Sequence, residues 1–304
     1  YPKHLSLEQC SSEITARYKA RLLQGDSLTD LTGGFGIDCS FLATGFKSAT
    51  YVERQEELCE IAAHNFPVLN LNHINIKNED GVTYLQVMSP VDCLFLDPAR
   101  RNEHGGKTVA ISDCEPNVAE LEELLLQKAN RVMIKLSPML DLSLALKELK
   151  QTQEVHILSV NNECKELLIL LGQTSPAEIS IHCVNLFTKG TQKEQHFVFT
   201  REQEQCSECT YTDSLETYLY EPNASLLKAG AFRSIAAAYP VRKLHPNSHL
   251  YTSDTFIENF PGRIFRIVNQ CSFNKKEVKE NLADLKKANV TVRNFPATVA
   301  ELRK

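Results

Sequence analysis

The first two thirds of the chain show short apolar segments in regular succession, separated by stretches with apolar residues at helical spacing. Segments such as 91–97 (VDCLFLD) and 131–137 (RVMIKLS) are apolar at most positions, which predicts strands covered on both faces. Residues 4–23 and 114–129 instead repeat apolar positions at the period of a helix. The predicted strands are 27–32, 49–54, 74–78, 91–97 and 131–137, the predicted helices are 4–23, 36–46, 55–69, 81–88, 114–129 and 140–150, and segments 154–160, 164–172 and 177–187 continue the series.

Strands and helices that alternate with short connections predict an α/β fold. We expect a Rossmann-like, doubly wound sheet of seven mostly parallel strands, with helices on both faces. The predicted boundaries are an N-terminal helical segment at 1–24, the sheet domain at 25–190 and a small basic α+β domain at 191–304. For the last of these, the pattern predicts strands at 196–200, 263–269 and 291–295 and helices at 225–239 and 275–290.

The first predicted strand ends in a glycine-rich turn, DLTGGFGID at 30–38. Glycines let the backbone turn sharply and approach a ligand closely, and the helix that follows offers unpaired N–H groups. The spacing G-G-x-G differs from the G-x-G-x-x-G that is typical of dinucleotide sites. The candidate cofactor-binding residues in this turn are Asp30, Thr32, Gly33, Gly34 and Gly36.

Acidic residues also follow the second and third predicted strands. Glu53 ends the second strand and precedes Arg54, and a carboxylate there can accept hydrogen bonds from both hydroxyls of a ribose. Glu79 and Asp80 follow the third strand, where a carboxylate can accept from an adenine amino group. All four residues are candidates for cofactor binding. The alternative for these carboxylates is a charge or cap at the start of the next helix.

The strand at 91–97 ends in a carboxylate, Asp97, which is followed by Pro98, Ala99 and Arg100. A carboxylate at the end of a buried strand is costly unless it has a partner or a function. We interpret Asp97, Pro98 and Arg100 as candidate catalytic residues, with pairing to the acidic surface as the alternative for Arg100. The loop at 100–113 is long, which is typical of lids and substrate contacts.

Composition narrows the class of protein. The ten cysteines are scattered and several lie in apolar strands, which favours a reducing, cytoplasmic location. Cys206 and Cys209 lack the second pair that a zinc site needs, so no metal is expected. No apolar segment approaches the roughly 20 residues that cross a bilayer, so no membrane partner is expected.

Charge is unevenly distributed along the chain. Residues 223–304 hold 14 Lys and Arg against 6 Asp and Glu, whereas the whole chain has 33 basic and 38 acidic side chains. A basic C-terminal part on an acidic body indicates a surface for a polyanion. The alternative is a solvated helix face, since several of the lysines lie in the predicted helix at 275–290.

The glycine turn, Glu53, Asp80 and the Asp97-Pro98 motif occur in the order found in class I S-adenosylmethionine-dependent methyltransferases, which residues 25–190 resemble. Further segments resemble one bacterial family of these enzymes, which carries a C-terminal THUMP-like domain. The segments are SLEQCSSEITARYKA (6–20), DLTGGFGID, DPARR, DCEP, NNECKELLILL (161–171) and LYEPNASLLKAGAF (219–232). A further strand would be needed beyond residue 304, so this domain is expected to be incomplete.

The resemblance implies that S-adenosyl-L-methionine is the cofactor and that the THUMP-like domain binds RNA. It implies that Asp97 and the Pro98 carbonyl accept hydrogen bonds from a target amino group, and that Lys19 of the N-terminal helix lies near the cofactor carboxylate. We therefore expect methylation of a base in structured RNA, with nitrogen favoured.

Two departures from the family motif leave alternatives open. Ala99 replaces a second proline, and Arg100 replaces the usual stacking aromatic. The strand at 131–137 is not followed by a cysteine, which disfavours covalent chemistry at carbon 5 of uracil. The alternatives are an RNA-binding module that binds the cofactor without activity, a methyltransferase for a protein or small molecule, and a nicotinamide dehydrogenase.

Overall fold

The computed structural model describes residues 10–100, 110–283, 285, 287–293 and 295–302. The chain forms two compact units, the first up to residue 201 and the second from residue 202 onward. None of the helices in the described ranges has the length and apolar character that crossing a bilayer requires.

The first unit contains the alternating elements. Its helices are α1 (Glu13–Ala20), α2 (Ile37–Leu42), α3 (Glu56–Val68), α4 (Gly81–Val87), α5 (Val118–Lys128) and α6 (Leu142–Glu148). Its strands are β1 (Ser27–Asp30), β2 (Ser48–Glu53), β3 (Ile74–Asn78), β4 (Val91–Leu96), β5 (Ala99–Arg100), β6 (Cys114–Glu115), β7 (Ala129–Leu136), β8 (Thr152–Val160), β9 (Glu163–Gly172), β10 (Ser180–Leu186) and β11 (Glu194–Phe199).

The large sheet has the strand order β11-β10-β8-β9-β7-β4-β1-β2-β3. Strands β1 to β4 and β7 are parallel, β8 and β10 are parallel to each other, and β9 and β11 run antiparallel to their neighbours. The chain passes from β1 outward to β3 and then returns to place β4 on the other side of β1. In such sheets ligands bind at the carboxyl ends of the strands where the order reverses, which here is between β1 and β4.

The predicted fold class is confirmed, but the sheet is larger than predicted. Within the described residues it has nine strands rather than seven. One added strand is β9, because the segment at 164–172 is a strand where strict alternation would require a helix. The other is β11, which pairs with β10 in the first unit, although the boundary at 190 had assigned it to the second domain. The N-terminal helix also belongs to the first unit, and its first predicted residues, 4–9, lie outside the described residues.

Helix α1 is held against the sheet by apolar packing. Tyr18 and the nearby Leu23 are buried in one core cluster with Leu42 of α2, Phe66 of α3 and Leu158 of β8. The burial of these side chains positions α1 over the sheet, and it brings the neighbouring residue Lys19 into the protein interior.

The second unit is a small α+β structure. Its strands are β12 (Tyr218–Pro222), β13 (Arg242–His245), β14 (Ser248–Ser253) and β15 (Gly262–Arg266), and they form an antiparallel sheet in the order β13-β14-β12-β15. Its helices are α7 (Arg201–Cys206), which begins at the last residue of the first unit, α8 (Ala224–Ala229), α9 (Arg233–Ala238), α10 (Lys275–Leu282) and α11 (Val299–Leu302).

Three predicted elements of this unit differ from the structure. The predicted helix at 225–239 is divided into α8 and α9 by Gly230, whose positive φ of 76° ends α8. The predicted helix at 275–290 ends at Leu282. The predicted strand at 291–295 is wrong, since none of its described residues is in a strand.

Candidate functional site

The candidate site lies where β1 and β4 end side by side. β1 ends at Asp30, and Asp97 directly follows β4. The turn after β1 contacts the motif after β4, because the Asp97 backbone N–H donates to Thr32 Oγ1 over 2.6 Å. The structure therefore joins the two motifs that the sequence placed after different strands.

Two glycines of the turn are required by close packing. A Cβ added to Gly33 would lie 2.2 Å from the ring of Tyr51, and one added to Gly36 would lie 2.9 Å from the ring of Phe66. Gly36 also has a positive φ of 74°, at the position that begins α2. These aromatic rings therefore fix the path of the turn.

Glu53 holds the turn from the end of β2. Its Oε2 accepts from the Gly34 backbone N–H over 2.9 Å, and its Oε1 accepts from Gln55 N–H over 2.9 Å. The residue is 8% exposed. Each carboxylate oxygen has two lone pairs, so both retain capacity for a ligand hydroxyl. Arg54 differs, because its side chain is 61% exposed and lies 3.6 Å from Glu115.

Glu79 and Asp80 occupy different positions after β3. Asp80 caps α4, since its Oδ1 accepts from Val82 N–H and Thr83 N–H over 3.0 Å each. This is the helix-cap alternative raised from the sequence. Glu79 is half-buried, and its backbone N–H donates to the Glu53 carbonyl over 3.1 Å. Of the two, only Glu79 is described with a backbone hydrogen bond to Glu53. An adenine contact by either residue stays a prediction.

Asp97 has a cationic partner that was not predicted. Lys135 Nζ in β7 lies 2.5 Å from Asp97 Oδ2 and 3.4 Å from Asp38 Oδ2. The Lys135 side chain is buried, whereas that of Asp97 is 39% exposed. The buried end of β4 therefore carries an ion pair rather than an isolated carboxylate.

A second ion pair continues this arrangement. Lys19 is fully buried, and its Nζ donates to the two carboxylate oxygens of Glu166 over 2.8 and 2.9 Å and lies 3.0 Å from Asp38 Oδ1. Ser11 Oγ donates to Asp38 over 2.7 Å and accepts from Lys19 over 2.9 Å. Lys19, expected near the cofactor carboxylate, is thus neutralised by carboxylates of the protein itself.

The five residues of these pairs form a charge cluster, made of Lys19, Asp38, Asp97, Lys135 and Glu166. Burial raises the pKa of Glu166, and desolvation of the partly exposed Asp97 raises its pKa as well, although the lysines oppose both shifts. Burial alone would also raise the pKa of Asp38, but Lys19 and Lys135 hold it below its usual range. Burial would lower the pKa of Lys135, yet Asp97 and Asp38 raise it above its ordinary value. The carboxylates therefore keep Lys135 charged.

Asp30 is a buried acid with one unsatisfied oxygen. Its Oδ1 accepts from the Thr32 N–H over 3.0 Å, and its Oδ2 makes no hydrogen bond to any described residue. Burial raises the pKa of Asp30 to about 8. An unpartnered acid oxygen beside a glycine turn, together with the remaining acceptor capacity of Glu53, fits a ligand that carries an amino group and a ribose, as S-adenosylmethionine does.

The residues after Asp97 form the base of a loop. Pro98 is buried, and Ala99 and Arg100 form β5, which pairs antiparallel with β6 so that Ala99 lies opposite Glu115. The loop predicted to contact substrate is therefore closed at its base by a short ladder. The Arg100 side chain and residues 101–109 lie outside the described part of the chain.

Lys135, Glu166 and Asp38 were not predicted as site residues from the sequence. The signal for the first two was a charge in an apolar segment predicted to be buried, namely Lys135 in RVMIKLS and Glu166 in CKELLILLG. Such a charge is stable in a core only with an opposite partner, so each should have been paired with another buried charge.

Two domain families match the second unit. A ferredoxin-like domain matches residues 218–261, and a THUMP domain-like family matches residues 262–304. No curated protein matches the chain.

Among solved structures, the chain is similar to a "putative methyltransferase" from Porphyromonas gingivalis W83, with 38% identity and a TM-score of 0.89 over 100% of this chain and 76% of that one. Lower similarity is found to an O-methyltransferase from Bacillus cereus in complex with SAH, with 13% identity and a TM-score of 0.43 over 57% of this chain and 92% of that one. A SAM-dependent O-methyltransferase from Thermotoga maritima shows 16% identity and a TM-score of 0.41 over 56% of this chain and 68% of that one.

The similarity to the Porphyromonas protein extends over the whole chain at 38% identity. The THUMP domain-like match covers the end of the same chain. The chain therefore belongs to the class I methyltransferase family that carries a C-terminal THUMP-like domain.

Proposed function

We propose that this protein is an S-adenosylmethionine-dependent methyltransferase that acts on a nitrogen of a base in structured RNA. The observation that supports this best is the hydrogen bond from Asp97 N–H to Thr32 Oγ1, because it fixes the proposed chemical motif against the proposed cofactor turn. A motif that positions a target group must lie within reach of the bound cofactor.

The cofactor would be held by the turn after β1 and by the carboxylate after β2. Asp30 would face its amino group through Oδ2, and Glu53 would accept from its ribose while keeping Gly34 in place. When bound, S-adenosylmethionine supplies a methyl group on a sulfonium sulfur, which an amine nitrogen can accept.

Asp97 and Pro98 would orient the target. The Asp97 carboxylate and the Pro98 carbonyl would each accept a hydrogen bond from an amino group, which directs the nitrogen lone pair. Lys135, 2.5 Å from Asp97 Oδ2, acts as a positioning residue, because it favours the ionised carboxylate and restricts its orientation. The contribution of these groups is chiefly positioning, with little acid–base chemistry.

RNA would be held by the second unit. Lys275, Lys276 and Lys279 of α10 are exposed, and so are the aromatic side chains of Phe265 and Phe273. Lysines neutralise phosphates and exposed aromatics can stack on unpaired bases, so these exposed side chains suit a folded RNA with single-stranded parts.

The cofactor is tested by calorimetric titration of S-adenosylhomocysteine and of NAD into the wild type, Glu53→Gln and Glu57→Gln. Glu57 is an exposed residue of α3 and serves as the control. We expect binding of S-adenosylhomocysteine alone, weakened in Glu53→Gln and unchanged in the control. Binding of NAD instead would indicate a dehydrogenase, and no binding of S-adenosylhomocysteine would overturn the proposal.

The substrate is tested by transfer of a labelled methyl group in a cell extract, with and without ribonuclease. We expect labelled RNA, and loss of labelling in Asp97→Ala but not in Asp26→Ala, an exposed aspartate that pairs only with Lys47 among the described side chains. Labelling that survives ribonuclease would indicate a protein or small-molecule substrate. Cofactor binding without transfer to any pool would indicate an RNA-binding module without activity.

A further inference from the structure

A row of histidines crosses three neighbouring strands of the large sheet. His156 lies on β8, His182 lies opposite it on the parallel strand β10, and His196 lies on β11 opposite Val184. The rings of His156 and His182 stack at a centroid distance of 4.3 Å, and those of His182 and His196 lie 5.3 Å apart. Strand register alone brings these side chains together, since they are far apart in the sequence.

A carboxylate completes the group. Glu154 precedes His156 by two residues, so it lies on the same face of β8. Its Oε2 lies 3.2 Å from His156 Nε2, and the ligand atoms of Glu154, His156 and His182 all lie within 4.8 Å of one another. Arg131 contacts the other carboxylate oxygen over 3.0 Å, which leaves Oε2 toward the histidines.

The remaining ring nitrogens are held by neighbouring side chains. His156 Nδ1 lies 2.8 Å from the Tyr18 hydroxyl of α1, and His182 Nδ1 lies 3.1 Å from His196 Nε2. Hydrogen bonds of this kind fix the tautomer and orientation of histidines that bind metals. With both Nδ1 atoms held in this way, Nε2 of His156 and of His182 would be the atoms that face a metal.

We propose that Glu154, His156 and His182 bind one divalent transition metal of the zinc type. Imidazole and carboxylate ligands suit zinc, whereas magnesium prefers oxygen ligands alone. Ligand atoms about 2.1 Å from a tetrahedral ion lie about 3.4 Å apart, so the two rings would rotate out of their present stacking for their ring nitrogens to converge on the ion. The site does not depend on the proposed function.

The position of the site indicates a structural role. Glu154 and His156 lie in the first half of β8, whereas the candidate methyltransferase residues follow the carboxyl ends of their strands. A metal here would join β8 to β10. Through the contact between His156 and the Tyr18 hydroxyl, it would also order Tyr18, which neighbours Lys19 in α1. Metal binding is therefore expected to stabilise this edge of the sheet and the packing of α1.

The test uses the full chain without a histidine tag, freed of metal by a chelator and titrated with zinc chloride in a calorimeter. We expect one zinc per chain and at least a tenfold loss of affinity in His182→Gln. His64→Gln, which alters an exposed histidine of α3, should bind zinc as the wild type does. Equal melting temperatures of the metal-free proteins establish that His182→Gln folds.

Cysteine ligands are distinguished by a further variant and by spectroscopy. Cys206→Ser with Cys209→Ser should retain the zinc affinity, and the cobalt-substituted protein should lack a thiolate charge-transfer band. The proposal is overturned if the wild type binds no zinc, if His182→Gln binds it as tightly as the wild type, or if the cysteine variant alone loses it.

Discussion

The ammonium nitrogen of Lys135 in β7 lies 2.5 Å from Oδ2 of Asp97, the residue that directly follows the adjacent parallel strand β4. The pair follows from strand register, because Leu96 of β4 lies opposite Ile134 of β7 and the next residues along the two strands are Asp97 and Lys135. The carboxylate proposed to hold the target is thus held by a buried cation. Its orientation and ionisation depend on a residue of another strand.

Replacing Lys135 should change how methyl transfer depends on pH. In Lys135→Met the Asp97 carboxylate loses its closest cation, so its pKa should rise further above its ordinary value. A protonated Asp97 is a poorer acceptor, so activity should fall at acidic pH and recover as pH rises. The measurement is kcat/KM against pH for the wild type and the variant, with the acid limb expected at higher pH in the variant.

The control for this prediction is Lys47→Met, which removes an exposed lysine paired with Asp26. It should leave the pH profile unchanged. An equal loss of activity by Lys135→Met at every pH, with the acid limb in place, would mean that Lys135 supports only the fold.

Asp30→Asn should make the protein more stable and the cofactor site weaker. In the folded wild type the pKa of Asp30 is raised to about 8 from a usual value near 3.8. The folded state therefore holds a proton that the unfolded state releases, and stability declines as pH rises from about 4 to about 8. Asp30→Asn lacks this decline. The free energy of unfolding of the variant should therefore exceed that of the wild type by an amount that grows between pH 4 and pH 8, by on the order of 1–3 kcal/mol.

Urea unfolding at pH 5 and pH 8 measures this difference, and calorimetry measures the affinity for S-adenosylhomocysteine. Asparagine cannot ionise beside an amino group, so Asp30→Asn should bind the ligand more weakly. Asp26→Asn, at an exposed position, should alter neither quantity. Unchanged affinity in Asp30→Asn would remove Asp30 from the cofactor site.

The Lys19–Glu166 pair should behave as a buried ion pair when Lys19 alone, or both residues together, are replaced. Lys19→Met leaves Glu166 buried without its closest cation, which should cost about 3–5 kcal/mol. Lys19→Met with Glu166→Leu replaces the pair by apolar side chains and should recover most of that loss. The measurement is the free energy of unfolding in urea.

Arg17→Met provides the matched control, because Arg17 lies in the same helix and pairs with Glu13 at the surface. It should change stability by less than about 1 kcal/mol. If the double variant is no more stable than Lys19→Met, the stability lost in Lys19→Met does not come mainly from leaving Glu166 without its cation.

The sequence predicted the first unit better than the second because its elements are marked by strong, regular patterns. Apolar strands such as β4 and β7 and the turns that follow them are local features. β9 was hard to distinguish, since the apolar run CKELLILLG suits either a helix or a buried strand. In the second unit, Gly230 divided a segment whose small residues are consistent with a continuous helix.

The candidate site was predictable only where a motif is continuous in the sequence. The turn at 30–38 and the residues after β4 could be located, and their contact follows from the order of the strands. The charge cluster joins residues far apart in the chain, such as Lys19 and Glu166, and the histidine row depends on register between β8, β10 and β11. Neither spacing nor composition encodes such pairings.

Neutralising the lysines of α10 should weaken RNA binding and reduce its dependence on salt. Lys275, Lys276 and Lys279 are exposed, and each that contacts a phosphate should lower the slope of log affinity against log salt by up to about 1. The measurement is fluorescence anisotropy of a folded RNA hairpin titrated with the wild type and with Lys275→Ala/Lys276→Ala/Lys279→Ala, at several potassium chloride concentrations.

The control removes the same charge from the first unit, in Lys47→Ala/Lys189→Ala/Lys193→Ala, whose lysines are all exposed. It should bind the hairpin with nearly the wild-type slope, because the proposed RNA surface lies in the second unit. If both triple variants lose affinity equally, binding depends on overall charge. If the α10 variant binds as the wild type does, the lysines of α10 form only a solvated helix face, and the RNA surface must be sought elsewhere on the protein.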